Sequence, residues 1–499
     1  MIDYKKKEEC VGCGACISSC PVKCIHMQSD EEGFLYPVIN KKLCINCNLC
    51  IETCDSLIKK EKLNQVKVFA AASSNENIKI NSSSGGIFYE LAKAVIKMGG
   101  VVYGAAYAND YSVIHKRIEK EQDILELMGS KYVQSNSEKS YNDLTDDLKE
   151  GRMVLYTGTP CQVKRAMYIS EKYEGKLYAV SVICHGVPSP LIWDKYIKLK
   201  KGQYSEEKIK KISFRDKRFG WKNFSLSIKF NKYEYIETHN NDLYMKGFLS
   251  DLFLRPSCYT CQLKGDKCVG DLIIGDYWGI QRIMPNINSY NGFSSIIVNS
   301  KAGDQLWSII KNEIIYYKSS YEDVVKENQM LEESAHINRL RQKFFDDLRI
   351  SGMIEDAIKQ NLPILKITEN MRRYYQYDVV YKIAKDNIMG KHIIRNKIEE
   401  CNWHNIVLYS ITDLLDLVIL DIKDLEINIW VTDKNYNNYE ETYNGYKILE
   451  LQKFIDMTNK DQIDAIIICN IIRKNEIEDE LQSKINNKEK INSLLNILF

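Results

Sequence analysis

The chain has 499 residues, more than one ordinary hydrophobic core accommodates, and a domain size of roughly 100 to 200 residues predicts about three units. Hydrophobic residues make up 44% and charged residues 27%, as in globular proteins that fold in water. The 69 Lys and Arg residues balance the 67 Asp and Glu residues, so the net charge of +2 excludes a strong general attraction to nucleic acid. No apolar stretch reaches the roughly 18 residues of a membrane span, and no apolar run follows the basic start, so we expect a cytoplasmic protein without a secretory signal.

Two copies of one cysteine pattern, C-x2-C-x2-C-x3-C, stand near the beginning of the chain. The first copy is CVGCGACISSCP, from Cys10 to Pro21, and the second is CINCNLCIETCD, from Cys44 to Asp55. In a reducing compartment the 16 cysteines are expected to be ligands or free thiols. Thiolates at positions i, i+3 and i+6 can surround one cube of iron and sulfide, while the fourth cysteine points towards a second cube. Zinc is the alternative, but it needs four ligands and leaves the third cysteine of each copy without a role.

Residues 1 to about 58 resemble the bacterial two-cluster ferredoxins, in which the fourth cysteine of each copy completes the cluster of the other copy. The resemblance implies one 4Fe-4S cluster on Cys10, Cys13, Cys16 and Cys54, and a second on Cys44, Cys47, Cys50 and Cys20. Asp55 stands where the second copy of such ferredoxins often has proline, which affects the local turn and leaves the ligands intact. Cys24 has no counterpart in the second copy, and we interpret it as a small buried residue.

From Val66 the composition changes to that of alternating strands and helices. VKVFAAASSN predicts a strand, SSSGGIFYELAKAVIKMGG predicts a turn that opens an amphipathic helix, and VVYGAAYA predicts the next strand. The Ser- and Gly-rich turn could offer N–H groups and hydroxyls to a phosphate, helped by the helix dipole. It could also be the cap of a surface helix, so the turn alone leaves both interpretations open.

Five further motifs follow one another in the same part of the chain. They are GSKYVQS at Gly129–Ser135, LYTGTPCQV at Leu155–Val163, ICHGVPSPLIW at Ile183–Trp193, SFRDKRFGW at Ser213–Trp221, and RPSCYTCQLKG with GDLIIGDYWGI at Arg255–Ile280. From about residue 66 to about residue 345, this succession resembles the β subunit family of coenzyme F(420) hydrogenases and dehydrogenases, which are iron-sulfur flavoproteins. It resembles especially the branch that is fused to a dicluster ferredoxin domain.

The resemblance implies an FAD cofactor and, as in methanogen members of the family, oxidation of the reduced deazaflavin coenzyme. At the matching positions, Ser84, Gly85 and Gly86 would cradle the phosphates of the flavin, with Lys131 and Tyr132 nearby. A flavin also has a chemical reason to be present, because clusters accept one electron at a time whereas a hydride donor delivers two. Which residues would be catalytic is unknown from the sequence.

Four cysteines of these motifs stand in turn-like contexts, namely Cys161, Cys184, Cys258 and Cys261. Loops of this kind can bring ligands from distant segments to one point, so we expect a third 4Fe-4S cluster. A zinc site on the same four residues stays open as the alternative. Cys268 is an additional thiol where the family usually has arginine, and thiol-disulfide reduction at this residue is a further hypothesis.

Two other features of these motifs have roles that the sequence leaves open. Arg215, Lys217 and Arg218 form a short basic run, which could meet an anionic substrate or could be a solvated charged turn. His185 directly follows a predicted cluster ligand, and we expect it to act in orientation or in hydrogen bonding to sulfur.

The last part of the chain combines helical periodicity with a second alternation of strands and helices. Residues from about Tyr321 to Lys397, interrupted near Leu362-Pro363, predict a helical connector. HNIVLYSITDLLDLVILDIKD then predicts a strand, a turn and a helix, and EINIWVTDK and DAIIICNI predict further strands. This tail resembles the small Rossmann-like modules attached to glycan-biosynthesis enzymes, but its first turn, SITD, has no glycine of the nucleotide-binding fingerprint. We therefore expect Asp433 to belong to a packed, non-binding module, and Cys401 and Cys469 to be free thiols.

The expected fold combines four parts. They are an α+β ferredoxin-like dicluster head at residues 1–60, a mixed α/β flavin and iron-sulfur domain at 66–320, a helical connector at 321–400 and a degenerate α/β Rossmann-like domain at 401–499. The predicted function is that of an oxidoreductase, which moves electrons between 4Fe-4S clusters and FAD and between FAD and a two-electron substrate.

The substrate and partners are expected from composition and resemblance together. The Asn, Lys, Ile and Tyr content resembles that of low-GC bacterial proteins, where relatives accompany polysaccharide synthesis. The substrate is therefore expected to be the reduced deazaflavin or an intermediate of polysaccharide biosynthesis. The expected partners are a redox partner protein or reduced coenzyme, together with glycan-biosynthesis enzymes; neither nucleic acid nor a membrane span is expected. The alternative is a non-catalytic, electron-wired scaffold or interaction protein in a glycan-biosynthesis complex.

Overall fold

The computed structural model describes residues 2, 6–55, 66–204, 208–284, 287, 289–362, 383, 392–434, 441–470, 473–494 and 497. The chain forms two compact units, one of Met1–Lys217 with Phe224–Ile364 and one of Arg218–Asn223 with Leu365–Phe499. Each unit has a sheet and a hydrophobic core of its own. Among the described residues, no helix combines the length and the apolar character that crossing a membrane requires.

The head of the first unit is a small hairpin flanked in sequence by two short helices. Helix α1 spans Ala15–Ser18, strands β1 and β2 span Ile25–Ser29 and Leu35–Ile39, and helix α2 spans Leu49–Asp55. The two strands are antiparallel, with Ile25 opposite Ile39, and these side chains pack with Ile2, Cys16 and Cys24. Because so small a core contributes little stability, the head needs additional cross-links or contacts with the rest of its unit.

The middle of the first unit alternates strands and helices. In chain order they are β3 (Lys67–Ser73), α3 (Glu76–Asn81), α4 (Ile87–Lys97), β4 (Val101–Tyr107), β5 (Val113–Ile118), α5 (Ile124–Leu127), α6 (Glu138–Lys149), β6 (Val154–Gly158), α7 (Pro160–Ser170), β7 (Leu177–Val182) and α8 (Pro190–Gln203). The strand, helix and strand predicted from Val66 onwards are confirmed by β3, α4 and β4.

A second series of elements completes the first unit. It consists of β8 (Lys211–Asp216), β9 (Ser225–Lys229), β10 (Glu234–Thr238), α9 (Leu243–Leu249), β11 (Leu272–Asp276), α10 (Ile280–Ile283), β12 (Ser294–Val298), α11 (Lys301–Ile310), β13 (Ile314–Ser319), α12 (Tyr321–Glu327), α13 (Arg341–Ser351) and α14 (Ile354–Asn361). Helices α12 to α14 form the described beginning of the predicted connector, and Phe344 and Ile358 from them join a core that also contains Tyr196 of α8. Residues 363–382 and 384–391 of the connector lie outside the described residues.

Eight strands of the first unit form one mixed sheet, in the order β13-β3-β12-β11-β7-β6-β4-β5. The four central strands β11, β7, β6 and β4 are parallel to one another. Strands β12 and β5 pair antiparallel with the two ends of this group, and β3 and β13 extend the sheet beyond β12 by further antiparallel pairing. Both faces are covered, because Leu155 of β6 packs in one core with Leu91 of α4, and Tyr156 packs in another with Val163 of α7. Ligand sites in such sheets lie at the carboxyl ends of the parallel strands. Strands β8, β9 and β10 form a separate antiparallel sheet.

The second unit is an α/β module with a mostly parallel sheet. Its elements are α15 (Ile393–Glu400), β14 (Asn405–Tyr409), α16 (Asp413–Ile422), β15 (Asn428–Thr432), β16 (Thr442–Tyr443), β17 (Tyr446–Ile448), α17 (Leu451–Asn459), β18 (Ala465–Ile468), α18 (Lys474–Gln482) and β19 (Ile491–Ser493). The strand order is β16-β17-β15-β14-β18-β19, and only β16 runs antiparallel to its neighbour. The strands and the helix predicted in the tail are therefore confirmed as β14, α16, β15 and β18.

Candidate metal centre

Two of the predicted ligands follow neighbouring parallel strands. Strand β6 is followed by Cys161 in the first turn of α7, and β7 is followed by Cys184. Because the two strands are parallel neighbours, their carboxyl ends bring both loops to one edge of the sheet. Helix α7 begins at this point because Pro160 occupies its first position and Gln162 Oε1 accepts the Thr159 N–H at 3.1 Å.

The other two cysteines of this third set come from the loop before β11. Cys258 ends a 3₁₀ turn, Pro256–Cys258, and its Sγ accepts the Val187 N–H at 3.4 Å. Cys161, Cys184, Cys258 and Cys261 all line one cavity of about 820 Å³. Burial raises the pKa of Cys161 to about 12 and that of Cys184 to about 11. Without a metal these thiols would therefore be neutral at neutral pH, and binding of a metal would have to release protons.

The first cysteine set of the head lines the same cavity as the third set. This first set consists of Cys10, Cys13, Cys16 and Cys54. A separate recess of about 20 Å³ is lined by the second set, Cys20, Cys44, Cys47 and Cys50. The structure thus groups three cysteines of each copy with the last cysteine of the other copy. This is the grouping that the resemblance to two-cluster ferredoxins implies, and ligation itself stays a prediction.

Cys24 is a member of the second recess that the spacing of the cysteines did not identify. It is 4% exposed, which confirms that it is buried. Its Sγ lies 3.4 Å from the Sγ of Cys20, and the Cys24 N–H donates to that same sulfur. Burial, followed by the neighbouring Cys20 thiol, raises the pKa of Cys24 to about 11. A neutral Cys24 would therefore be a hydrogen-bonding neighbour of the second set and not a fifth ligand.

The donor chemistry of the cavity fits iron-sulfur clusters better than a single zinc ion. Zinc draws four ligands to within about 2.3 Å of one point. Within the described ranges, no three His, Cys, Asp or Glu side chains converge in the way that a single metal ion requires. A 4Fe-4S cluster instead holds its thiolates on separate iron atoms. The cavity also contains Arg165, which is 7% exposed and whose Nε and Nη1 have no acceptor among the described residues, which suits an anionic cofactor.

The Ser- and Gly-rich turn lies between β3 and α4 and is held by internal hydrogen bonds. Ser84 Oγ donates to Phe293 O at 2.7 Å, and the Gly85 N–H donates to Ser294 Oγ at 3.0 Å. A side chain at Gly85 would overlap Ala71 O, so this glycine is required for close packing. A phosphate would therefore have to replace these bonds or contact other groups of the turn.

The structure brings the turn and the GSKYVQS motif together. Ser83 Oγ accepts the Ser130 N–H at 2.7 Å, which places Lys131 and Tyr132 directly after this contact in the chain. Lys131 Nζ donates to Met128 O at 2.8 Å, and burial lowers the pKa of Lys131 to about 7. Tyr132 Oη accepts a hydrogen bond of 3.1 Å from Arg215. The predicted flavin residues thus form one neighbourhood, and their binding role stays a prediction.

Matches to known families cover both the head and the central segment of the chain. Residues 151–323 match the family described as the C terminus of the beta subunit of coenzyme F420 hydrogenase/dehydrogenase. This central segment is similar to that beta subunit family. Residues 9–58 match the 4Fe-4S dicluster domain, so the chain combines an iron-sulfur head with a domain of a redox family, and the predicted resemblance is confirmed.

Structural similarity was found to a chain of the F420-reducing [NiFe] hydrogenase complex from Methanosarcina barkeri, studied as a xenon derivative. The identity is 16%, the match covers 59% of this chain and 89% of that chain, and the TM-score is 0.36. No curated protein matches the chain.

The structure shows the surroundings of two residues near the third set, Cys268 and His185. Cys268, the additional thiol, is 6% exposed and lines the large cavity. His185 lies in the same cavity wall, and its Nε2 is 2.5 Å from Asp251 Oδ1. Because Asp251 Oδ2 also accepts the His336 N–H at 3.1 Å, His185 ties the loop after Cys184 to a second loop. This contact agrees with the expected role in orientation.

Two residues of the basic run are buried, Arg215 within β8 and Lys217 just after it. Arg215 is 4% exposed and forms a bidentate ion pair with Asp276, at 2.8 and 3.2 Å. Lys217 is 5% exposed and donates to the carbonyls of Lys79, Ser84 and Asn291. Burial lowers the pKa of Lys217 well below its usual value. The interpretation as a solvated turn is therefore wrong for these two residues, which bind internal acceptors.

The head is fixed to the rest of its unit by residues that sequence reasoning did not identify. Arg255 Nε donates to Cys10 O at 2.7 Å and its Nη2 donates to Leu35 O at 2.9 Å. Arg341 forms an ion pair of 2.5 Å with Glu32. The available signal was the position of Arg255 just before the Cys258 motif, but its partners in the head could not be found without the fold.

Proposed function

We propose that this chain is an iron-sulfur flavoprotein oxidoreductase, with three 4Fe-4S clusters and FAD, that links a one-electron partner to a two-electron substrate. The observation that carries the proposal is the single cavity lined by both the first and the third cysteine sets. Redox groups held there would be neighbours in one cavity. When bound, the clusters would accept and release single electrons, and FAD would exchange single electrons for pairs.

The second cysteine set supports an electron entry point at the surface of the head. Cys47 is exposed, and so are two apolar side chains that line this recess, Val22 at 37% and Ile45 at 60%. Leu43 at 55% and Leu49 at 40% are also exposed and stand next to Cys44 and Cys50 in the chain. Exposed apolar groups clustered in one place are typical of protein interaction sites. We therefore propose that a redox partner protein docks here.

A row of ring contacts supports a flavin near the third set. His185, which follows Cys184, packs edge-on against Phe248 with ring centroids 5.2 Å apart. Phe248 in turn lies 4.7 Å from Tyr132. These contacts link a predicted cluster ligand to a predicted flavin residue through packed side chains. The catalytic residues stay unassigned.

The proposed substrate rests on the family resemblance and on the composition of the chain. We propose the reduced deazaflavin coenzyme or a polysaccharide-biosynthesis intermediate, and the role of glycan-biosynthesis enzymes as partners stays a prediction. The tail is proposed to bind no nucleotide. In support, Asp433 Oδ2 accepts the Ile411 N–H at 3.0 Å, so this carboxylate is used inside the module instead of meeting a ribose.

Flavin content tests the proposal. The full-length protein, reconstituted anaerobically with excess FAD and then desalted, should retain about one FAD per chain. Lys131→Gln should weaken FAD binding by at least about tenfold, because a bound phosphate would favour the protonated form of Lys131 and glutamine cannot supply that charge. Lys149→Gln is the control, since Lys149 is exposed at 53%, and it should bind FAD like the wild type.

If the wild-type protein retains no flavin, the two-electron half of the proposal is wrong. The electron-wired scaffold would then be the better account. If Lys131→Gln and Lys149→Gln bind FAD equally well, the proposed location of the phosphates is wrong.

A further inference from the structure

Arg165 is a buried cation in the wall of the large cavity. It stands one helical turn after Cys161 on α7 and is 7% exposed. Its Nη2 donates to Ser18 Oγ in the head. Its Nε and Nη1 have no hydrogen-bond partner in the part of the chain that the structure describes.

A buried guanidinium with two free donors is costly unless an anion accompanies it. In the described part of the chain no Asp or Glu side chain forms an ion pair with Arg165, and burial lowers its pKa. Arg165 lines the same cavity as the predicted ligands of the first set, so an anion that accompanies its charge belongs in that cavity.

Arg255 lines the same cavity as Arg165 but differs from it in its hydrogen-bond partners. It is 1% exposed, and its Nη2 lies 3.6 Å from Cys10 Sγ. Its guanidinium, however, already donates to Cys10 O, Leu35 O and Gln134 Oε1. Arg255 therefore has internal acceptors that hold the head in place, whereas two donors of Arg165 have none.

We propose that Arg165 is a positioning residue that supplies the counter-charge for the iron-sulfur clusters of the first and third sets, with Nε and Nη1 as donors to their sulfur atoms. This inference rests on the proposed function, because it requires clusters in the cavity. One-electron reduction adds a negative charge, so a nearby fixed cation favours the reduced form. The second set lines a separate recess to which Arg165 does not contribute. Arg165 thus makes the inner clusters easier to reduce than they would otherwise be.

The test is a redox titration followed by electron paramagnetic resonance on the full-length, anaerobically reconstituted protein. Arg165→Gln removes the charge and keeps an amide that can reach Ser18, while Arg165→Lys keeps the charge. Arg152→Gln is the control, because Arg152 binds Glu119 and is 29% exposed. Iron and acid-labile sulfide are counted in every sample.

Arg165→Gln should lower the equilibrium constant for reduction of an inner cluster at least tenfold, which is about 59 mV for one electron. Arg165→Lys should shift it by less than half as much, and the second head cluster should not shift in either variant. Loss of inner iron in Arg165→Gln alone would also support the inference. Unchanged potentials, an equal shift of all clusters, or loss of clusters in both Arg165 variants would overturn it. A wild-type protein without iron and sulfide would instead refute the proposed function.

Discussion

Replacement of Gly33 by alanine should weaken the attachment of the head to α8. Gly33 has a φ of +86°, and a methyl group there would overlap Leu191 Cβ and lie 2.8 Å from Leu191 N. The left-handed backbone costs an alanine about 1 kcal/mol, and forcing a methyl group into a packed contact costs about 1 to 3 kcal/mol more. The total cost is about 2 to 4 kcal/mol, borne by the interface of the head with α8.

Amide hydrogen exchange measures this opening directly. Peptides that cover residues 30–36 and 188–194 should exchange at least about thirtyfold faster in Gly33→Ala, since 2 kcal/mol corresponds to that factor. Gly151→Ala is the matched control, because Gly151 has a φ of +73° and nothing within 4 Å of an added methyl group. It carries the backbone strain alone and should leave these peptides unchanged. If exchange at the head were unaffected in Gly33→Ala, the described contact with α8 would be wrong.

Two predictions concern buried charge. Burial lowers the pKa of His115 to about 4, so its contribution to stability is complete above its unfolded pKa of about 6.5 and is lost as pH falls towards 4. Denaturant unfolding from pH 7 to pH 5 should therefore show a smaller loss of stability in His115→Gln than in the wild type, and equal losses would contradict this. Asp276→Asn removes the partner of buried Arg215 and should cost about 3 kcal/mol or more in unfolding free energy. The control Asp304→Asn breaks an exposed pair with Lys67 and should cost at most about 1 kcal/mol. Equal losses of unfolding free energy in Asp276→Asn and Asp304→Asn would contradict the prediction that the buried pair matters more.

Sequence analysis predicted most where the informative residues lie close together in one segment of the chain. The repeated cysteine pattern of the head, through its resemblance to two-cluster ferredoxins, implied the two cysteine groups that line separate recesses. The turn-like context of Cys161 also suited a ligand in a loop. Cys24 was missed as a neighbour of Cys20, since no cysteine stands at the matching position of the second copy.

The contacts between distant segments could not be predicted. Arg165 meets Ser18 across 147 residues and Arg255 meets Cys10 across 245 residues, and no periodicity encodes such separations. Arg215 looked like part of a charged surface turn because Asp276, its partner, is 61 residues away. These residues became interpretable only when the sheet placed their loops beside one another.

The most direct test of the account is the iron and acid-labile sulfide content of the full-length protein after anaerobic reconstitution. We predict about twelve of each per chain for three 4Fe-4S clusters, and about eight in the double variant Cys258→Ser/Cys261→Ser. Cys268→Ser should keep the full content, because its thiol is proposed to line the cavity without binding iron. About eight iron atoms in the wild type, with one zinc ion lost in the double variant, would contradict a third iron-sulfur cluster in the shared cavity.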